Sequence, residues 1–186
     1  MEPLKLYQIL VGCKPAGRNT EQHDVFFAVG ASLKDLTTQI LEFWPEANGK
    51  IHLDAWREVT SVEGFNISIV EKTAGHTQPS KALFFLNLGG YKKDEFDELH
   101  YKMLLVGADK AEVIKKAKES AFFLHTGFEG APSHIDDKYG VDVDDIFEIE
   151  EVLSPELKER YQILITAGET AVQDEIHLGY LPLKNL

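Results

Sequence analysis

Leu6-Tyr7-Gln8-Ile9-Leu10-Val11-Gly12 recurs later in the chain as Leu83-Phe84-Phe85-Leu86-Asn87-Leu88-Gly89. Each is an apolar run of strand length that stops at a glycine, and so reads as a strand buried on both faces. Working outward at the same offset, Glu21 meets Glu98, His23 meets His100, Val29-Gly30-Ala31 meets Val106-Gly107-Ala108, and Leu36 meets Val113. After a short insertion His52 aligns with His134, Asp54 with Asp136, Phe65 with Phe147, Ile67 with Ile149 and Val70 with Val152. Ordered matches with so few gaps mark an internal duplication.

Both copies read alike. A second strand, Asp24 to Val29 or Tyr101 to Val106, closes on Gly-Ala. A helix follows directly, with Ser32 or Asp109 at its N-cap. Leu33, Leu36, Ile40 and Leu41 form its apolar stripe in the first copy, and Val113, Ile114 and Ala117 in the second. Lys50 to Asp54 and Phe65 to Val70 read as two further short strands. In the second copy the stretch from Asp142 begins as strand and turns helical by Glu150, and Ser154-Pro155-Glu156 starts another helix. Tyr161 to Thr166 and Glu175 to Leu183 read as two strands, with Pro182 near a sheet edge.

The fold expected is therefore α+β: two tandem β-β-α-β-β repeats related by a pseudo-twofold, plus C-terminal strands. Residues 1–72 form the first repeat, 73–82 a linker rich in turn residues, 83–155 the second repeat, and 156–186 an extension packed on the same body. One helix per copy covers too little of its strands for either copy to bury a large core alone, which favours packing of the two together.

Composition narrows the function. Among 186 residues, 31 acidic side chains outnumber 19 basic ones for a net charge of −12, so nucleic acid and anionic membranes are repelled at long range while cations are attracted. A single cysteine, Cys13, leaves no intramolecular disulfide and no multi-thiolate zinc site. The N-terminus lacks the pattern of a secretion signal, and no apolar run approaches the length of a membrane-spanning helix. The expected setting is cytoplasmic.

Chemistry concentrates where the copies agree. Glu21 and His23, and again Glu98 and His100, are spaced by two, as are His52 and Asp54, and His134 and Asp136. On a strand that spacing places both side chains on one face. If the strands are neighbours, each copy gathers two imidazoles and two carboxylates, which suit zinc, iron or manganese, or general acid–base work. His23, His52, His100 and His134 are the candidate metal ligands, with Arg18 and Arg57 as candidate ligand-binding cations nearby in sequence. A separation of His23 and His52 above about 10 Å would exclude a shared site. The plainer alternative is that each pair is a loop anchor kept because the duplicated fold needs it. Gly12 to Arg18 departs from the phosphate-loop pattern, because no Lys-Ser/Thr and no helix follow its second glycine. Trp56 reads as a packing residue between the copies.

Gly17-Arg18-Asn19-Thr20-Glu21-Gln22-His23-Asp24, His52-Leu53-Asp54-Ala55-Trp56-Arg57-Glu58-Val59, Leu88-Gly89-Gly90-Tyr91 with Glu98 and His100, and Ser133-His134-Ile135-Asp136-Asp137-Lys138-Tyr139-Gly140 together resemble the bacterial family known as domain of unknown function 1543. The resemblance runs to about residue 155, implies one or two copies of such a unit, and implies no reaction. Three function classes fit: a small-ligand or divalent-metal binding module, a metal-assisted or acid–base hydrolase, and an acidic protein that binds a protein partner or itself as a homodimer.

Overall fold

The computed structural model describes residues 2–73, 80–91, 94, 96–119, 141–168 and 173–186; the side chains of Tyr91, Val141 and Asp142 are outside this description. The chain divides into two compact units, Met1–His76 with Leu153–Leu186, and Thr77–Val152. Antiparallel sheets with segregated short helices make it an α+β protein. No helix among the described residues is long and apolar enough to cross a membrane.

In the first unit β1 (Lys5–Cys13) lies between β2 (Gln22–Gly30) and β3 (His52–Glu58), and β10 (His177–Pro182) adds to the outer side of β3. Alternation in β1 sends Tyr7, Ile9, Val11 and Cys13 to one face, where they meet Leu36, Ile40, Leu53 and Leu183 in the core. The chain enters α1 (Thr37–Phe43) through a 3₁₀ turn, Leu33–Leu36. That turn is held by Asp35, whose carboxylate accepts from the Ser32 amide at 2.9 Å and the Ser32 hydroxyl at 2.8 Å. Leu36 and Ile40 are buried as expected, but Leu41 is exposed, because the 3₁₀ turn rotates the following helix. Gly30 permits the close approach: a Cβ there would stand 2.6 Å from Leu36 Cδ2.

A second sheet of this unit joins β4 (Ser61–Val62), β5 (Phe65–Glu71) and β9 (Tyr161–Ala167). The short α4 (Pro155–Arg160) precedes β9, capped by Ser154 and started by Pro155. Both C-terminal strands thus pair with strands of the first unit, β9 with β5 and β10 with β3. Pro182 sits on the edge strand, where its missing N–H costs no ladder bond. Most of the linker expected at 73–82 lies outside the described residues.

In the second unit β6 (Ala82–Tyr91) lies between β7 (Glu98–Gly107) and β8 (Val141–Glu148), with α2 (Lys110–Lys118) after β7 and α3 (Ile149–Val152) after β8. Asp109 caps α2 by accepting from the Glu112 amide at 2.9 Å, while Glu112 accepts from the Ala108 amide at 2.8 Å. The Ala108 amide, with Lys116 beside it, holds the Glu112 carboxyl below its ordinary pKa.

Unit by unit, the details run parallel. Gln39 donates to the Val29 carbonyl and Lys116 to the Val106 carbonyl, each tying its helix to the end of the preceding strand. Val113 fills the space a Cβ on Gly107 would take, as Leu36 does at Gly30. In the first unit the register slips between Leu10 and Val11, and in the second between Asn87 and Leu88.

The later parts of the two units depart from the expected alignment. Val11 faces Leu53 and Leu88 faces Val143, so β8 takes the place of β3 and Asp144 the place of Asp54. Phe147 lies in the last two residues of β8 rather than opening a counterpart of β5, and Ile149 to Val152 is helix rather than strand. Among the described residues the second unit has one strand after its helix, not two. Acidic, helix-favouring Glu150 and Glu151 and burial of Ile149 account for the turn into helix. The expected counterparts of His52 and Asp54, His134 and Asp136, lie outside the described residues. Trp56, expected between the copies, packs on the first unit's own core and stacks on His177 at 3.9 Å.

Candidate functional site

The site begins with a missing side chain. Gly12 pairs with His23 of β2 on one side and His52 of β3 on the other, so three adjacent strands place imidazole, hydrogen and imidazole in one row. Side chains two strands apart ordinarily stand about 10 Å from one another. Here the gap over Gly12 lets both imidazoles lean inward. A Cβ on Gly12 would lie 2.5 Å from His52 Nε2 and 2.6 Å from Asp54 Oδ2. Glycine is the only residue that leaves this space open.

The bulge supplies the fourth group. Leu10 faces Ala55 and Val11 faces Leu53, so Asp54 is the extra residue of β3, with no partner on β1. A bulge re-aims a side chain, and Asp54 Oδ2 lies 3.2 Å from His23 Nε2 and 3.4 Å from His52 Nε2. Glu21, just before β2, places Oε1 3.2 Å from His52 Nε2 and Oε2 3.9 Å from His23 Nε2. Ligand atoms of Glu21, His23 and His52 lie within 4.8 Å of one another, well inside the limit set for a shared site.

Burial gives the cluster its tension. His52 is 5% exposed. Its Nε2 and Asp54 Oδ2 are both inaccessible to water, and neither has a directed hydrogen bond, although they stand close together. Buried polar atoms are almost always satisfied, and leaving one without a partner costs about 1–3 kcal/mol. Tyr180 of β10 covers the outer side of His52, ring centroids 4.4 Å apart, and is itself 69% exposed.

The second unit repeats part of this. His100 faces Gly89 on β6, and Gly89 faces Asp142 on β8. His100 Nε2 lies 3.8 Å from Glu98 Oε2 and 3.4 Å from Asp144 Oδ2. A Cβ on Gly89 would overlap the Asp144 carboxylate. All three groups are partly exposed, and among the described residues this cluster has no counterpart of the buried His52.

Four expected residues therefore meet in the first unit, and Glu98 and His100 meet with Asp144 in the second. Arg18 lies exposed in a turn closed by its own amide to the Pro15 carbonyl, outside the cluster. Arg57 is bound elsewhere, its Nε donating to Gln8 Oε1 at 2.8 Å. Cys13 is buried on the core face, where burial, then Glu21 and Glu46, push its thiol pKa up; a nucleophilic role does not fit. Gly12, Asp144 and Tyr180 are site residues that the sequence does not single out. For Asp144 a signal exists: Asp142-Val143-Asp144 and Glu148 match His52-Leu53-Asp54 and Glu58 in spacing once the bulge is known.

Residues 18–69 match the model of a family described as Domain of Unknown Function (DUF1543), a span that contains Glu21, His23, His52 and Asp54. Among solved structures, the protein Il1583 from Idiomarina loihiensis is similar over 97% of this chain and 97% of that chain, with a TM-score of 0.65 and 20% sequence identity. That likeness concerns the fold alone. No curated protein matches the chain.

Proposed function

We propose that this chain, whose residues 18–69 match the domain of unknown function 1543 family, is a binding module whose first unit holds a divalent transition metal on Glu21, His23, His52 and Asp54. The observation that carries this reading is the pair of buried, unsatisfied atoms, His52 Nε2 and Asp54 Oδ2, turned toward the same point. A cation at that point satisfies both at once.

The spacing supports it. Ligands about 2.1 Å from a tetrahedral centre stand about 3.4 Å from each other. The four imidazole–carboxylate contacts in the cluster are 3.2, 3.2, 3.4 and 3.9 Å. Two imidazoles with two carboxylates suit zinc, iron(II) or manganese(II). His23, His52 and Asp54 are fixed on strands, whereas Glu21 comes from the end of a loop and is the most exposed of the four, which makes it the exchangeable ligand. The net charge of −12 favours cation capture.

The parallel registers and matched glycines support a further reading, that residues 1–72 and 83–155 descend from one duplicated unit and that the second cluster is a weaker copy of the first. We read the chain as cytoplasmic, in keeping with its one buried thiol.

The test is elemental analysis with calorimetry on the full chain, stripped and then reloaded. One tightly held zinc, manganese or iron(II) per chain is expected, lost in His52→Ala, with a melting temperature that rises on loading and falls with chelator. No stoichiometric metal, together with a melting temperature unmoved by metal or chelator, overturns the reading.

A further inference from the structure

On the face of the first sheet that carries the cluster, side chains follow one another along the strands in a fixed order. The next row after His23, Gly12 and His52 is Val25, Leu10 and Ala55, directly paired, with Leu178 beyond Ala55 on the edge strand. Val25, Leu10 and Ala55 are partly exposed and Leu178 is 80% exposed. The row after that is Phe27, Gln8 and Arg57.

Arg57 has the properties of a recognition group. Its Nε is committed to Gln8, which fixes the plane of the guanidinium. The terminal nitrogens take no partner among the described residues. Burial lowers the Arg57 pKa, and the charge of Asp174 counters that effect. Asp174 itself accepts from the Thr60 amide at 3.0 Å and the Ser61 amide at 3.3 Å, and from the Thr60 hydroxyl. A half-buried guanidinium whose two terminal NH2 groups take no partner among the described residues presents the planar fork that a carboxylate fills.

We infer that the metal centre and Arg57 are the two ends of one binding track, whose ligand is a linear dicarboxylate: one carboxylate replaces Glu21 on the metal, the methylene chain lies over Leu10, Val25, Ala55 and Leu178, and the far carboxylate meets Arg57. This rests on the metal reading above. Gly12 and Gln8 are four positions apart on β1, a span of roughly 14 Å. Allowing about 2 Å for a metal–oxygen bond and about 3 Å for the hydrogen bond leaves roughly 9 Å between the ligand's outer oxygens, a span that an eight-carbon dicarboxylate covers with a single gauche bend and a four-carbon one cannot reach. Charge points to the same class: the proposed metal stands at one end, Arg57 with Asp174 in its neighbourhood stands at the other, and apolar side chains lie between them.

The experiment is calorimetric titration of zinc-loaded full-length protein with suberate, octanoate and succinate. Suberate is expected to bind at least about tenfold tighter than either of the others, because octanoate lacks the second anion and succinate lacks the length. Arg57→Gln should erase the preference over octanoate while zinc stoichiometry stays at the wild-type value, and Arg57→Lys should restore part of it. If zinc binds but suberate shows no advantage over octanoate, the track is refuted and the metal site stands. If zinc does not bind, both fall. Should Arg57→Gln fail to fold, Gln8→Leu, which frees the guanidinium from its anchor, is expected to reduce the preference, and an unchanged preference overturns the proposal.

Discussion

Gly12→Ala places one methyl group where the structure has no room for it. The added carbon would lie 2.5 Å from His52 Nε2 and 2.6 Å from Asp54 Oδ2, against ordinary contacts near 3.5 Å. Both groups must retreat by about 1 Å. Without metal the consequence is modest: overpacking costs about 1–3 kcal/mol, offset in part by the about 0.5–1 kcal/mol that alanine saves over glycine within a strand. With metal it is large, because ligand distances are tolerated only within about 0.2 Å. A loss of at least about 100-fold in affinity is expected. At a free metal concentration of about 1,000 times the wild-type dissociation constant, linkage stabilises the wild type by about 4.1 kcal/mol and a 100-fold weaker variant by about 1.4 kcal/mol. The difference of about 2.7 kcal/mol corresponds to roughly 5–11 °C in melting temperature. Differential scanning fluorimetry with zinc and with chelator, on wild type and variant, reads this directly. A variant that melts a few degrees lower in chelator yet keeps the full zinc-induced rise would refute the argument that Gly12 is the floor of a metal site.

Asp54→Asn should reverse sign with metal: in chelator the variant should gain up to about 1–3 kcal/mol, since an amide can donate where the carboxylate oxygen has no donor, and with zinc it should lose stability relative to wild type. Chemical denaturation under both conditions checks it, and a loss in chelator would count against the cluster being unsatisfied. Tyr7 is buried beside Glu58, and burial first, then the Glu58 charge, push its phenol pKa up to about 12 from 10.0. A raised folded-state value means that this contribution is complete below about pH 10 and is lost as pH rises toward 12. Tyr7→Phe should flatten the stability profile over that window, with ultraviolet titration reporting the phenolate. Gly30→Ala should cost about 1–3 kcal/mol without altering metal binding, because its Cβ would strike Leu36 on the core face, away from the cluster; denaturant melts and zinc titration separate the two effects.

Much of the strand plan is legible because glycine and apolar periodicity are local properties. The Leu6–Gly12 and Leu83–Gly89 runs are strands, and Ser154-Pro155 does open a helix. Late in the second unit the same signals mislead. Phe147 to Val152 has the hydrophobic spacing of β5 but forms a strand end and a helix, because pairing with β6 takes its first residues. The second strand reads as starting at Asp24, yet β2 starts at Gln22, since pairing with β1 extends the ladder beyond the apolar core of the strand.

Glu21, His23, His52 and Asp54 can be grouped with no structure in hand, because a spacing of two fixes side-chain direction within any strand. Nothing in the order of residues tells that Gly12 sits between the two histidines, that Asp54 is a bulge residue, or that Tyr180 from the far end of the chain covers His52. Those depend on strand register and on contacts between segments distant in sequence, and register follows from how whole strands bury their faces, which no short motif records.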